Sequence, residues 1–248
     1  MKVKILGNQA PFQLGGKKGV GYLAKTQDGN FMLDAGSGSH SNLEITDYEN
    51  LKLILSHGHY DHAADIENLL YAALTLKSNK IMDPKLSIYL PENYPDILEK
   101  KILVGSLVAS DVANIIRYGE NDKIKIGETA IDFVKTSHSP DSHAIRVKNK
   151  DTSLGYTGDI STDDIERCSH FFHKADAIIS ECSLPQDCTT LLKHLRPLDC
   201  ANLKNKSKAK SMYLTHFFPT DNPQNYLKVC KQHTDNVYIA KENLTFDL

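Results

Sequence analysis

Short apolar runs broken by glycine-rich segments open the chain: Val3 and Ile5, then Tyr22 and Leu23, then Phe31 and Leu33. That rhythm predicts strands. Asp28-Gly29 lies between two of the runs and signals a hairpin, because the tight turn needs positive φ. The segment Leu14–Gly21 (LGGKKGVG) is rich enough in glycine for a phosphate cradle, but no helix follows it as such a loop requires. A plain inter-strand loop is the simpler expectation. Leu51–Leu55 (LKLIL) is a short apolar run of the buried-strand kind. From Ala63 to Leu76 the apolar positions Ile66, Leu69, Leu70, Ala73 and Leu76 recur at helical spacing, which predicts a helix.

The second half repeats the scheme. DKIKIG and ETAIDFVKT flank a Gly-Glu turn, and HAIRVKNKDTSLGYTGD reads as another hairpin turning at Asn149-Lys150-Asp151. Ser161 with Asp164 forms a weak capping box for a short helix. Ala177–Cys182 reads as a strand, and Pro197 opens a helix expected to run to Lys210. Met212–His216 is a strand, NYLKVCKQH a helix and NVYIA the last strand. Two batches of strands, each followed by helices, predict two packed β-sheets with helices outside, an α/β layered fold. With no low-complexity linker and no shift in composition, residues 1–248 are expected to form a single domain of two similar halves.

Composition adds mainly exclusions. Apolar residues make up 40% and charged residues 24%, enough for a substantial core without staples. A net charge of −2 gives no global field toward nucleic acid or anionic membrane. The five cysteines are odd in number and form no CxxC pair, so reduced, mostly buried thiols are expected. The N-terminal MKVKILGNQAPFQ lacks the apolar core of a signal peptide, and no apolar run reaches membrane-spanning length. A cytoplasmic protein without a membrane partner is the expectation.

The chemistry concentrates in SHGHYDHAAD, where His57, His59, Asp61 and His62 fall within six residues directly after a buried strand. His57 and His59 are two apart and project to one side of extended chain, while Asp61 and His62 sit at the start of the helix. Imidazole with carboxylate suits zinc or other first-row divalent metals. Further donors stand at other strand ends: His138 after IDFVKTS, Asp159 after SLGYTG and His216 after MYLT. Any one of these alone is an ordinary surface residue. Together they place ligand-type groups where loops over a sheet build sites.

This ordered set, LDAGSG (Leu33–Gly38), HGHYDH (His57–His62), His138, YTGD (Tyr156–Asp159) and THFFP (Thr215–Pro219), resembles the metallo-β-lactamase superfamily over nearly the whole chain. The resemblance implies a four-layer αββα sandwich with two metals at its edge. It implies that His57, His59 and His138 hold one metal, that Asp61, His62 and His216 hold the other, and that Asp159 bridges them. SECSL (Ser180–Leu184) and His194 are similar to the ribonuclease Z and phosphodiesterase branch, where the histidine faces the scissile phosphate and a carboxylate holds it. His194 is then the expected acid and Glu181 its orienting group, against the plainer reading of an exposed histidine at a helix start. Asp61 is expected to be essential to turnover as well. A hydroxide shared by the metals is the nucleophile the resemblance implies.

Departures narrow the choice. Asp159 stands where the best-known zinc β-lactamases have cysteine, and His59 where the flavodiiron branch has a carboxylate. Only residues 217–248 follow the last metal-ligand candidate, short of the extra domain of glyoxalase-type thioesterases. Ribonuclease Z proteins carry a long tRNA-gripping arm between the third histidine and the bridging aspartate, whereas His138 and Asp159 enclose only a hairpin. Lys204, Lys206, Lys208 and Lys210, with Lys17 and Lys18, are the other basic candidates, and a solvated face is the simpler reading of the run. The leading expectation is therefore a phosphodiesterase acting on a small or flexible phosphodiester, such as a cyclic nucleotide or short oligonucleotide. A tRNA 3′-processing activity, a carboxyl-ester or lactone hydrolase, and a non-catalytic metal-stabilised binding module are the alternatives. Two divalent metals are expected, zinc first, with manganese or iron also suited to the donors. A nucleic-acid substrate stays open though charge does not indicate it, and a homodimer is implied by the resemblance alone.

Overall fold

The strands form where apolar side chains alternate between two buried faces, and the computed structural model describes residues 1–96, 98–189 and 193–248. In chain order the first half comprises β1 (Lys2–Gly7), β2 (Gly21–Thr26), β3 (Gly29–Leu33), β4 (Leu51–Ile54), α1 (Tyr60–Ala63), α2 (Ile66–Ser78) and β5 (Leu86–Pro91). A small hairpin of β6 (Ile102–Val104) and β7 (Leu107–Val108) precedes β8 (Ala113–Tyr118). The second half runs β9 (Lys123–Ile126), β10 (Thr129–Lys135), β11 (His143–Asn149), β12 (Thr152–Tyr156), α3 (Ile165–Phe171), β13 (Ala177–Glu181), α4 (Pro197–Ser207), β14 (Ser211–Thr215), α5 (Pro223–Cys230) and β15 (Val237–Ile239). A short β16 (Thr245–Asp247) ends the chain.

Two seven-stranded sheets result, in the orders β16-β1-β2-β3-β4-β5-β8 and β15-β14-β13-β12-β11-β10-β9. Each has three antiparallel pairings followed by three parallel ones. Hairpins join the antiparallel strands, and the parallel ones need crossovers, which is where α2 to α5 arise.

Three apolar cores separate four layers. The first lies between the sheets and joins Ile5, Tyr22, Phe31 and Leu33 to Ile131, Phe133, Ile145 and Ile179. The second packs Leu53 and Ile88 under Ile66, Leu69, Leu70 and Ala73 of α2. The third packs Ile178, Met212 and Leu214 under Phe172, Cys200, Leu203 and Tyr226. Within β13, Ala177 and Ile179 face the other sheet while Ile178 faces the helices. A strand covered on both faces reads as an unbroken apolar run, and each such side chain contributes about 1.5–3 kcal/mol. This is the expected αββα sandwich.

Several local expectations need correction. The predicted helix from Ala63 is two pieces, α1 and then α2 starting at Ile66. The helix opened by Pro197 stops at Ser207 rather than Lys210, because Lys208 turns left-handed at φ 57°. Lys204 is buried, its Nζ 3.4 Å from the Thr234 hydroxyl, so it belongs to no solvated lysine face. NVYIA is not the last strand: β16 pairs antiparallel with β1 and closes the first sheet. Its three residues carry no apolar run, and only tertiary pairing reveals it. The five cysteines are free, with Cys168, Cys182, Cys200 and Cys230 buried. Among the described residues no helix is long and apolar enough to cross a membrane.

Candidate metal centre

β10, β12, β13 and β14 point the same way in the second sheet, so their carboxyl ends share one edge. His138, Asp159, Glu181 and His216 all lie at or just after those ends. The loop after β4 faces the same edge from the other sheet, and the His143 N–H donates to the Ser56 carbonyl at 3.0 Å to join the two. Gly158 makes this approach feasible. Its φ is 55°, and a Cβ there would lie 2.8 Å from Ser56 Cβ, so only glycine meets both demands.

The donors form three overlapping groups, one of them Asp159, His194 and His216, and the other two divide the seven ligand candidates. Ligand atoms of His57, His59, His138 and Asp159 all lie within 4.8 Å of one another, as do those of Asp61, His62 and His216. Asp159 serves both. Its Oδ2 is 3.7 Å from His57 Nε2 and 3.6 Å from His138 Nε2, while its Oδ1 is 3.4 Å from His62 Nε2 and 3.2 Å from His216 Nε2. Asp61 Oδ2 completes the second group, 3.6 and 3.4 Å from the same two imidazoles.

Hydrogen bonds on the far side of the rings decide what faces inward. His62 Nδ1 donates to Asp34 Oδ2 at 2.6 Å and His138 Nδ1 to the Lys193 carbonyl at 3.2 Å. Both partners only accept, so in the neutral rings each Nε2 holds a lone pair directed at the cluster. Asp159 Oδ1, buried, has no hydrogen-bond partner among the described residues. Converging lone pairs and an orphaned carboxylate oxygen repel one another unless positive charge lies between them. The residues therefore fit divalent cations, and imidazole with carboxylate is the donor set such ions take.

Electrostatics shows a cluster that draws positive charge toward its carboxylates. Burial, together with neighbouring His62, holds the His57 pKa well below its usual value and favours the neutral ring, the form in which an imidazole can ligate. Burial opposes charge on His62 too, yet Asp159 and Asp34 overcome it and raise its pKa well above normal. Burial also pushes the Asp159 carboxyl up, and His216, His62 and His57 around it outweigh that and hold it well below the carboxylate range.

His194 stands at the mouth of the cluster, its ring 5.1 Å from that of His138 and 5.5 Å from that of His216. Its Nδ1 is committed to the Glu181 carboxylate, at 3.0 and 3.1 Å from the two oxygens. Burial disfavours the imidazolium, but Glu181 beside it prevails and raises the pKa to about 9. Glu181 is itself buried and accepts from the Ile160 N–H at 2.9 Å and the Ser183 hydroxyl at 2.6 Å.

All nine residues singled out in the sequence thus meet at one edge. The residues that reasoning passed over are the ones behind them. Asp34, fully buried, accepts from Ser56 N–H, Ser56 Oγ, His62 Nδ1 and Tyr156 Oη at 2.6, 2.7, 2.6 and 2.5 Å. Ser183 meets His216 Nδ1 at 2.7 Å. Asp34, Tyr156 and Ser183 lie inside the motifs LDAGSG, YTGD and SECSL, so position in a motif was the available signal. The candidate phosphate loop at Leu14–Gly21 joins β1 to β2, with no helix after it.

A family model described as anti-Pycsar protein Apyc1 matches residues 1–244. The chain belongs to that family. This Apyc1-family chain is 29% identical over 219 residues to the probable metallo-hydrolase YhfI of Bacillus subtilis strain 168, covering 87% of the chain and 86% of its relative. The crystal structure of YhfI, a metallo-β-lactamase fold protein, superimposes with a TM-score of 0.88 at 27% identity, over 99% of this chain and 98% of that one. Human tRNase Z, short form, matches with a TM-score of 0.75 at 17% identity, over 100% and 99% of the two chains. Unliganded yeast PDE1 matches at 0.72 and 15%, again over 100% and 99%. The last two likenesses speak for the fold alone. The Apyc1-family chain is a metallo-hydrolase of the metallo-β-lactamase fold, as the motifs imply, and its His/Asp clusters could hold a divalent metal.

Proposed function

We propose that this chain is a phosphodiesterase acting on a small or flexible phosphodiester, such as a cyclic nucleotide or short oligonucleotide, with two divalent cations, zinc foremost. The observation that carries the reading is the placement of the His194–Glu181 pair over a cluster whose two donor groups share the two oxygens of Asp159. His57, His59 and His138 would hold one cation, Asp61, His62 and His216 the other, with Asp159 common to both. Divalent cations there supply Lewis-acid neutralisation of phosphate charge and water of lowered pKa.

The chain's own residues do the rest. Asp159 keeps the two donor groups in register, because either oxygen can move only with the other. His194, its Nδ1 fixed by Glu181, presents Nε2 to the leaving oxygen, where it donates a hydrogen bond or a proton as negative charge develops. Glu181 prevents the ring from turning and favours the charged form that can give up a proton. The choice of a phosphoester over a carboxyl ester rests on the His194–Glu181 pair, since the tRNase Z and PDE1 likenesses speak for the fold alone. Between His138 and Asp159 stands only the β11–β12 hairpin, which disfavours a tRNA-gripping arm at that place.

The test is hydrolysis of bis-p-nitrophenyl phosphate by zinc- or manganese-loaded protein. His194→Ala is expected to lower kcat about 10²–10⁴-fold, and Asp159→Ala to abolish turnover. Turnover indifferent to His194 removes the assigned acid. A wild type inert on phosphodiesters but active on carboxyl esters or lactones refutes the substrate class.

A further inference from the structure

A continuous chain of hydrogen bonds runs behind the cluster from the candidate acid to a candidate ligand. His194 Nδ1 contacts Glu181, the Ser183 hydroxyl donates to Glu181 Oε2 at 2.6 Å, and the same hydroxyl meets His216 Nδ1 at 2.7 Å. The polarity of this chain is fixed by its middle. A carboxylate only accepts, so the single proton of the Ser183 hydroxyl goes to Glu181. The hydroxyl oxygen can then only accept from His216, whose Nδ1 must carry the proton. Nε2 of His216 is left with a lone pair, 3.1 Å from Nε2 of His62. Two backbone bonds hold Ser183 in place on either side, Cys182 N–H to the Thr215 carbonyl at 2.9 Å and Leu184 N–H to the Leu195 carbonyl at 3.1 Å.

We propose that Ser183 is a positioning residue that fixes the tautomer of His216 and ties it to the His194–Glu181 pair, so that cation affinity at the second donor group depends on its hydroxyl. The inference rests on the reading of His216 as a metal ligand. Among the described residues no other hydrogen-bond partner meets His216 Nδ1. Without it, the ring is released to protonate Nε2 and turn a donor toward the cation position. Among the described residues the Ser183 hydroxyl bonds to Glu181 and His216 and not to His57, His59 or His138, so the first donor group keeps its affinity. Partners behind a ligand are worth about 10–100-fold in metal affinity when removed.

The experiment uses the full chain, stripped of metal and titrated with Zn²⁺ against a chromophoric chelator. Wild type is expected to bind two equivalents. Ser183→Ala should weaken one of them about 10–100-fold and leave the other unchanged, while Ser183→Thr, which keeps the hydroxyl, should retain both. Two unchanged equivalents in Ser183→Ala overturn the proposal and leave the metal reading standing. Equal weakening of both overturns it too, since general loss of structure does that. A wild type that binds fewer than two equivalents refutes the two-cation reading, and the proposal falls with it. ¹⁵N chemical shifts of the metal-free wild type, with His216→Gln for assignment, give a test independent of how Ser183→Ala folds. Protonated Nδ1 on His216 supports the proposal, and protonated Nε2 overturns it.

Discussion

Asp34→Asn isolates the buried carboxylate on which His62 and, through Ser56, His57 lean. Asp34 Oδ1 accepts the Ser56 N–H at 2.6 Å, and Oδ2 accepts Ser56 Oγ, His62 Nδ1 and Tyr156 Oη at 2.7, 2.6 and 2.5 Å. An amide in the same place offers one oxygen and one NH₂. Its better orientation keeps the oxygen toward the three donors and sets the NH₂ against the Ser56 N–H. One buried bond to a charged acceptor is lost, worth about 1.5–3 kcal/mol. The three that remain fall to roughly half their strength, a loss of about 0.75–1.5 kcal/mol each. The sum is about 4–7.5 kcal/mol, a large share of the 5–15 kcal/mol or so that holds a typical protein folded. The backbone does not confuse the result: Asp34 has φ 56°, and asparagine tolerates that region as well as aspartate does. Urea unfolding of chelator-treated protein, followed by circular dichroism, reads the change as a shift in midpoint at constant slope. A loss below about 1 kcal/mol would refute the reasoning, because it falls under even the single lost bond.

Two further outcomes follow from packing and charge elsewhere. Gly155→Ala places a Cβ 2.6 Å from the buried Phe172 ring, so the overpacked core should lose about 1–3 kcal/mol in the same urea assay, and an unchanged midpoint contradicts the contact. Burial pushes the Asp164 carboxyl up, but bonds from Ser161, Ser137 and Arg167 outweigh it and hold its pKa below normal. A depressed folded pKa adds stability above the ordinary aspartate value of about 4 that is lost as pH falls through the folded value. Urea midpoints of wild type and Asp164→Asn should therefore converge as the pH is lowered below about 4, and parallel curves would deny the link.

The legible and illegible parts of this protein separate by range. LKLIL and AIISEC declare themselves as strands because both faces are covered, and the α2 stripe because its apolar residues share one side. The ligand candidates were legible because their chemistry is rare in packing and they stand at strand ends. β16 was not, since a three-residue edge strand with exposed positions has no pattern of its own. Neither was the short end of α4, which depends on one left-handed residue at Lys208.

The sequence by itself determined the layered class, the strand ends and the seven His/Asp ligand candidates, because local periodicity and side-chain chemistry are properties of short segments, while Glu181 and His194 were singled out by the family resemblance. The tertiary structure alone decided which oxygen of Asp159 faces which histidines, that Asp34 gathers four donors from three residues, and that Ser183 lies between Glu181 and His216. Those are relations between residues as far apart as Asp34 and Tyr156. They arise only when two sheets meet face to face, and no spacing along the chain encodes the direction of a hydrogen bond across that meeting.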